Sequence, residues 1–141
     1  AIIEWLEEMI PSPRLFPIDS YARAHVRALV EIINAGTQPL QNTPVQEHYS
    51  PNPDKQKEWG AYFALRGLQA FEKLSAPTAK KFACGDEFSA ADVFLVPQCF
   101  SAVRFGIPLE KECPVVWRLY QNALALPFVA KSHPDLYKPD A

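Results

Sequence analysis

This chain is short of cysteine and glycine, carries one methionine, and has no surplus of basic charge. Each shortage removes a class of protein. Cys84, Cys99 and Cys113 are odd in number and follow no metal-ligand spacing, so a disulfide-stapled fold and a zinc ribbon are both set aside. They read as reduced thiols of a cytosolic-type, cytoplasmic compartment. His25, His48 and His133 are scattered, and none pairs with a cysteine in a short ligand motif, so no metal is expected. A formal net charge of -2 lacks the concentrated basic face of a nucleic-acid surface. No apolar run is long enough to span a bilayer, and no basic stretch followed by an apolar segment and a cleavage site is visible. Repeats, low-complexity tracts and period-two alternation are also missing, which leaves helices.

What is present is ample core material. Of 141 residues, 48% are hydrophobic and 21% charged, as expected for one ordinary globular domain. Ile2, Ile3, Leu6, Met9 and Ile10 recur at helical spacing, and Pro11 and Pro13 stop that helix. The helix opens straight from Ala1 with no Ser, Thr, Asp or Asn to cap it. The expectation is a helix cut into at its start, an N-terminal part before it, and self-association through its apolar side. A Pro-rich connector runs to Ile18. Asp19 caps a second helix that buries Val26, Leu29, Val30 and Ile33. Thr37 to Pro53 is polar and broken by four prolines, with one short helical turn at Leu40–Asn42 and loop elsewhere. A long helix then spans about Pro53 to Leu74. It is apolar on two sides and carries Gly60 and Gly67, which would let neighbours approach closely.

The clearest local signal is Phe88-Ser89-Ala90-Ala91-Asp92-Val93. Ser89 fits as an N-cap and Asp92 as its reciprocal partner at N3, a shorter variant of the usual Glu, with Phe88 and Val93 as a hydrophobic staple. That helix runs to about Phe105 with Pro97 inside it. Pro114 starts another, Pro127 a last short one, and His133 to Ala141 is an extended tail. The class is all-α, about six helices around a long central helix. Trp5, Trp59 and Trp117 read as packing residues, and Cys99 as a small core residue.

The run Gly85-Asp86-x-x-Ser89-x-Ala91-Asp92, opening a central helix, resembles the C-terminal domain of cytosolic glutathione transferases. Gln38-Pro39-Leu40-Gln41-Asn42, Leu95-Val96-Pro97-Gln98, Arg104-Phe105 and the ending Pro139-Asp140-Ala141 narrow the likeness to the zeta class, over essentially the whole chain. The resemblance implies a glutathione-dependent cis–trans isomerase or transferase of aromatic amino-acid breakdown. It would convert maleylacetoacetate to fumarylacetoacetate or act on small α-halo acids. It also implies a homodimer and a preceding thioredoxin-like domain that supplies thiol activation, so no catalytic residue is expected in these 141 residues.

The resemblance places glutathione against Gln38, Asn42, Thr43 and Pro44. Side chains four apart on a helical turn share a face, and amides suit a peptide-like ligand. By spacing alone the two amides could equally cap a turn. Pro44 has no N–H to donate. Arg104 extends the row Val93, Pro97, Phe100 along one helix face. The family reading gives it the substrate carboxylate. From spacing, an internal pair with Glu110 or Asp86, or a head left in water, is as good. A contrasting reading makes the domain a non-catalytic assembly module, like similar helical domains fused into translation-factor and synthetase complexes.

Overall fold

A computed structural model describes residues 1–137. Proline and local caps set most of its boundaries. α1 spans Ile2–Met9, and no side chain caps its start. Asp19 accepts the N–H of Ala22 at 2.7 Å and opens α2, Ser20–Asn34. A 3-10 turn at Gln38–Gln41 leads into α3, Thr43–Tyr49. The longest helix, α4, spans Pro53–Ser75, with Asn52 accepting the N–H of Asp54. α5 spans Ala90–Phe105, α6 Leu109–Glu112, α7 Pro114–Leu124 and α8 Pro127–Lys131. Among the described residues there are eight α-helices and no β-strand, so the all-α class holds with a larger count than six.

Two helices share the centre: the long α4, which packs against α2, α3, α5, α7 and the 3-10 turn, and the more deeply buried α5. α5 packs against α2, α4, α6 and α7. Leu95, Cys99 and Ala102 lose essentially all exposure there. Around them lie Val26 and Leu29 of α2, Leu68 and Phe71 of α4, and Val116 and Leu119 of α7. Full burial of such a side chain is worth about 1.5–3 kcal/mol, and this layer holds the helices together. Glycine is needed where α4 meets its neighbours. A Cβ on Gly60 would lie 2.6 Å from the Phe105 ring, and one on Gly67 would lie 2.0 Å from the Thr37 hydroxyl. The expected close approaches are both present.

The apolar row of α1 faces mostly outward, as its expected role in association requires, while four other expectations change. Ile2 is 74% exposed and Met9 63%, and Trp5, expected to pack, is 58% exposed. Ile3 packs against the core, and the other inward contacts are polar: Glu4 forms a two-pronged pair with Arg27, and Glu7 accepts the N–H of Leu15. The segment around Pro44 is helix α3 rather than loop, because Pro44 sits in the first turn, where no N–H is needed. The four-residue α6 escaped periodicity analysis because it is a single turn. Within the expected extended tail, Pro134–Tyr137 form a 3-10 turn. Pro139, Asp140 and Ala141 lie outside the described residues.

Candidate functional site

The sharpest local structure is the start of α5. Ser89 and Asp92 close the reciprocal capping box. The Asp92 carboxylate also accepts the Ala83 N–H and the Ser89 hydroxyl, each at 2.9 Å. Burial pushes the Asp92 pKa above the ordinary carboxylate range, and the donors from Ala83 and Ser89 pull it back part of the way. This carboxylate is fully used in joining the Phe82–Ser89 loop to α5. Its role is structural.

Gln38 and Asn42 do face the same way. Gln38 Nε2 donates to Asn42 Oδ1 at 2.8 Å, and Asn42, although it precedes α3, makes no capping bond. Both line a cavity of about 440 Å³ between the 3-10 turn and α5. Its polar lining is completed by Asn34, Gln41, Gln98 and Ser101. Phe94, Pro97 and Phe105 from α5 and Ile33 from α2 supply the apolar part. No residue of this lining is ionisable. A wall of amides and one hydroxyl offers both donors and acceptors and places no charge opposite a ligand, which fits the peptide bonds of a small peptide such as glutathione. Thr43 and Pro44 are exposed at the start of α3 and are not part of this lining.

Arg104 is exposed on the last turn of α5, and its guanidinium stands over the Phe100 ring at 5.8 Å. It forms no ion pair with either expected partner. Asp86 pairs with Lys80 instead, at 3.4 Å. Arg104 is also outside the lining of the amide cavity. Among the described residues it is a cation whose guanidinium rests on an aromatic ring and has no carboxylate partner.

Sequence reasoning missed Gln41, Gln98, Asn34 and Ser101. Gln98 carried a readable signal, an uncharged polar residue inside the apolar run Leu95-Val96-Pro97-Gln98-Cys99-Phe100. Asn34 and Ser101 carried none, because they join the site only through the packing of α2 on α5.

The thiols are poor nucleophile candidates. Burial raises Cys84 to about 11, with the Asp92 charge adding to it. Burial likewise raises Cys113 to about 11, and Cys99 is pushed up further still. At pH 8 a thiol of pKa 11 is about one part in a thousand thiolate. We therefore expect a disulfide reagent at pH 8 to label the native chain slowly, Cys84 first, and all three thiols rapidly after unfolding in guanidinium. A thiol that reacts as fast in the native chain as in the unfolded one would contradict this.

Comparison with known proteins places the chain in a family. The glutathione S-transferase C-terminal domain family matches residues 64–122. The chain is 42% identical over 135 residues to probable maleylacetoacetate isomerase 2 of Drosophila melanogaster, covering 96% of this chain and 58% of that protein. Among solved structures it resembles maleylacetoacetate isomerase from Anaeromyxobacter dehalogenans 2CP-1, which has GSH bound in its active site. There the TM-score is 0.91 at 43% identity, over 100% of this chain and 65% of the other. It also resembles maleyl pyruvate isomerase, a bacterial zeta-class glutathione S-transferase, with TM-score 0.90 at 31% identity over 99% of this chain and 68% of the other. The chain thus spans somewhat more than half the length of the fly protein it matches. From this likeness and the fold that carries it, the chain belongs to the zeta class of the glutathione S-transferase family.

Proposed function

We propose that this chain is the C-terminal helical domain of a cytoplasmic, homodimeric, glutathione-dependent cis–trans isomerase that converts maleylacetoacetate to fumarylacetoacetate. The observation that carries this reading is the uncharged amide cavity in which Gln38 and Asn42 stand side by side. Supporting it, relatives that cover nearly the whole chain bear that enzyme's name. When bound, glutathione supplies the thiol whose reversible addition to a cis double bond allows rotation about it.

This chain's own residues hold and orient. Gln38 and Asn42 exchange their mutual hydrogen bond for bonds to the peptide groups of glutathione, which costs little because bonds are traded rather than lost. Thr43 and Pro44 form the outer edge of that contact, with Pro44 contributing shape and no N–H. Arg104, which has no carboxylate partner among the described residues, takes the substrate carboxylate in fork geometry. No residue of the cavity can lower a thiol pKa by charge, so thiol activation falls to a thioredoxin-like domain preceding this one. The greater length of the relatives supports that domain. So do the outward apolar row of α1 and two adjoining apolar hollows that share Phe88, Val93 and Phe128.

The test is kinetic. In the full-length protein, Arg104→Leu should raise KM for the acid substrate roughly 10–100-fold, the worth of a charged hydrogen-bonded contact, and leave KM for glutathione within about twofold. The 141-residue chain alone should show no turnover. Wild-type KM for the acid in the Arg104→Leu enzyme would remove Arg104 from the site. Turnover by the isolated chain at the rate of the full-length protein would overturn the division of labour.

A further inference from the structure

The Gln38–Gln41 turn is a poor element by itself. A 3-10 turn of four residues has few internal bonds and weak geometry, and its position depends on what it is tied to. Three ties reach α2, α4 and α3. The buried Thr37 hydroxyl donates to Ile32 O at 2.7 Å, Trp59 Nε1 donates to Leu40 O at 2.7 Å, and Gln46 Nε2 donates to Gln41 O at 2.6 Å. Side-chain ties to α5, the helix forming the opposite wall of the cavity, come from one reciprocal amide pair. Gln41 Nε2 donates to Gln98 Oε1 at 2.5 Å, and Gln98 Nε2 donates back to Gln41 Oε1 at 3.3 Å.

Gln98 is 3% exposed and sits in an apolar stretch of α5. A side chain of the same length without polar atoms would fill that space with no desolvation penalty. The amide therefore needs a reason, and the geometry offers one. A buried polar pair with directional bonds specifies register, where apolar packing alone tolerates sliding. We infer that the Gln41–Gln98 pair is a positioning device that sets the turn carrying Gln38 and Asn42 at one distance and angle from α5, so that the cavity is already formed when glutathione arrives. Gln98 and Gln41 act through the turn and need not touch the ligand. This inference rests on the reading of Gln38 and Asn42 as glutathione contacts.

The experiment is a double-mutant cycle in the full-length protein with Gln41→Met, Gln98→Met and the two together, measuring KM for glutathione, kcat at saturating glutathione, and Tm. Each single change should raise KM for glutathione about tenfold and leave kcat within about twofold, since the loss is of preorganisation. The double change should be no worse than either single one, because each residue works only through the other. Gln41 is half-exposed, so Gln41→Met tests the pair even if Gln98→Met fails to fold. Lowered Tm with unchanged KM in Gln41→Met, or additive KM effects in the double variant, would overturn the inference. Gln38→Ala and Asn42→Ala serve as reference. If they too leave KM unchanged, the glutathione reading itself fails. If they raise KM while the methionine variants do not, only the positioning role fails.

Discussion

Asp92→Ala is expected to lower the stability of the domain by about 3 kcal/mol or more. The carboxylate accepts the N–H groups of Ala83 and Ser89 and the Ser89 hydroxyl, all at 2.9 Å. Alanine leaves those donors buried, and an unsatisfied buried donor costs about 1–3 kcal/mol. The loss is partly offset because alanine also removes a carboxylate that burial disfavours in its charged form. The sign follows from linkage. The folded pKa of Asp92 lies above its ordinary value of 3.8, with burial as the main cause. The folded state therefore holds its proton more firmly than the unfolded chain does. The stability this group contributes through linkage is present below pH 3.8 and declines as pH rises through the raised folded value. Urea unfolding followed by circular dichroism should show a lower midpoint for Asp92→Ala at pH 7. It should also show a flatter pH dependence across that acidic window. A loss under about 1 kcal/mol at pH 7 would mean that the donors find other partners and that the box is not what joins the loop to α5.

Gly67→Ala should also be severe, although alanine is the better helix former by about 1 kcal/mol. The added Cβ would lie 2.0 Å from Thr37 Oγ1, 2.7 Å from its Cγ2 and 2.9 Å from its Cβ. Thr37 cannot swing away into solvent. It is fully buried, and its hydroxyl is committed to Ile32 O. Either α4 moves off or Thr37 shifts and takes the following turn with it. We expect a loss of about 3 kcal/mol and roughly 10 °C in Tm. In the full-length protein we also expect a rise in KM for glutathione, because Gln38 follows Thr37 directly. Combining Gly67→Ala with Thr37→Ala should restore part of the stability, since the second change empties the space the first one fills. A rise in Tm for Gly67→Ala alone would show that the close approach is not maintained in solution.

These two positions also show how unevenly the structure can be read from sequence. The Ser89–Asp92 box was legible because it is local. Cap, partner and staple lie within six consecutive residues, and helix termini follow from the chemistry of their own orphan N–H groups. Gly67 was legible only as permission for a close approach. That Thr37 makes the approach depends on how α2, the turn and α4 are stacked. Pro44 misled because a proline breaks a helix interior yet suits its first turn, and the surrounding residues did not settle which applied.

The site divides the same way. Gln38 and Asn42 share one turn, so their pairing could be expected from spacing. Gln41 and Gln98 lie 57 residues apart, and no local rule pairs them. For Arg104, spacing left open a carboxylate within the chain or one outside it. The structure removes the two expected internal partners, because Asp86 is held by Lys80 and no pair to Glu110 forms. By itself, then, the sequence determined the all-α class, the caps and most helix limits, because 3.6-residue periodicity, prolines and capping side chains act over one or two turns. Tertiary structure alone decided that α5 shares the centre with α4, that Trp5 points outward, and that two distant glutamines share a bond at the edge of the cavity. These are relations between helix faces, and a face acquires its partner only when the helices pack.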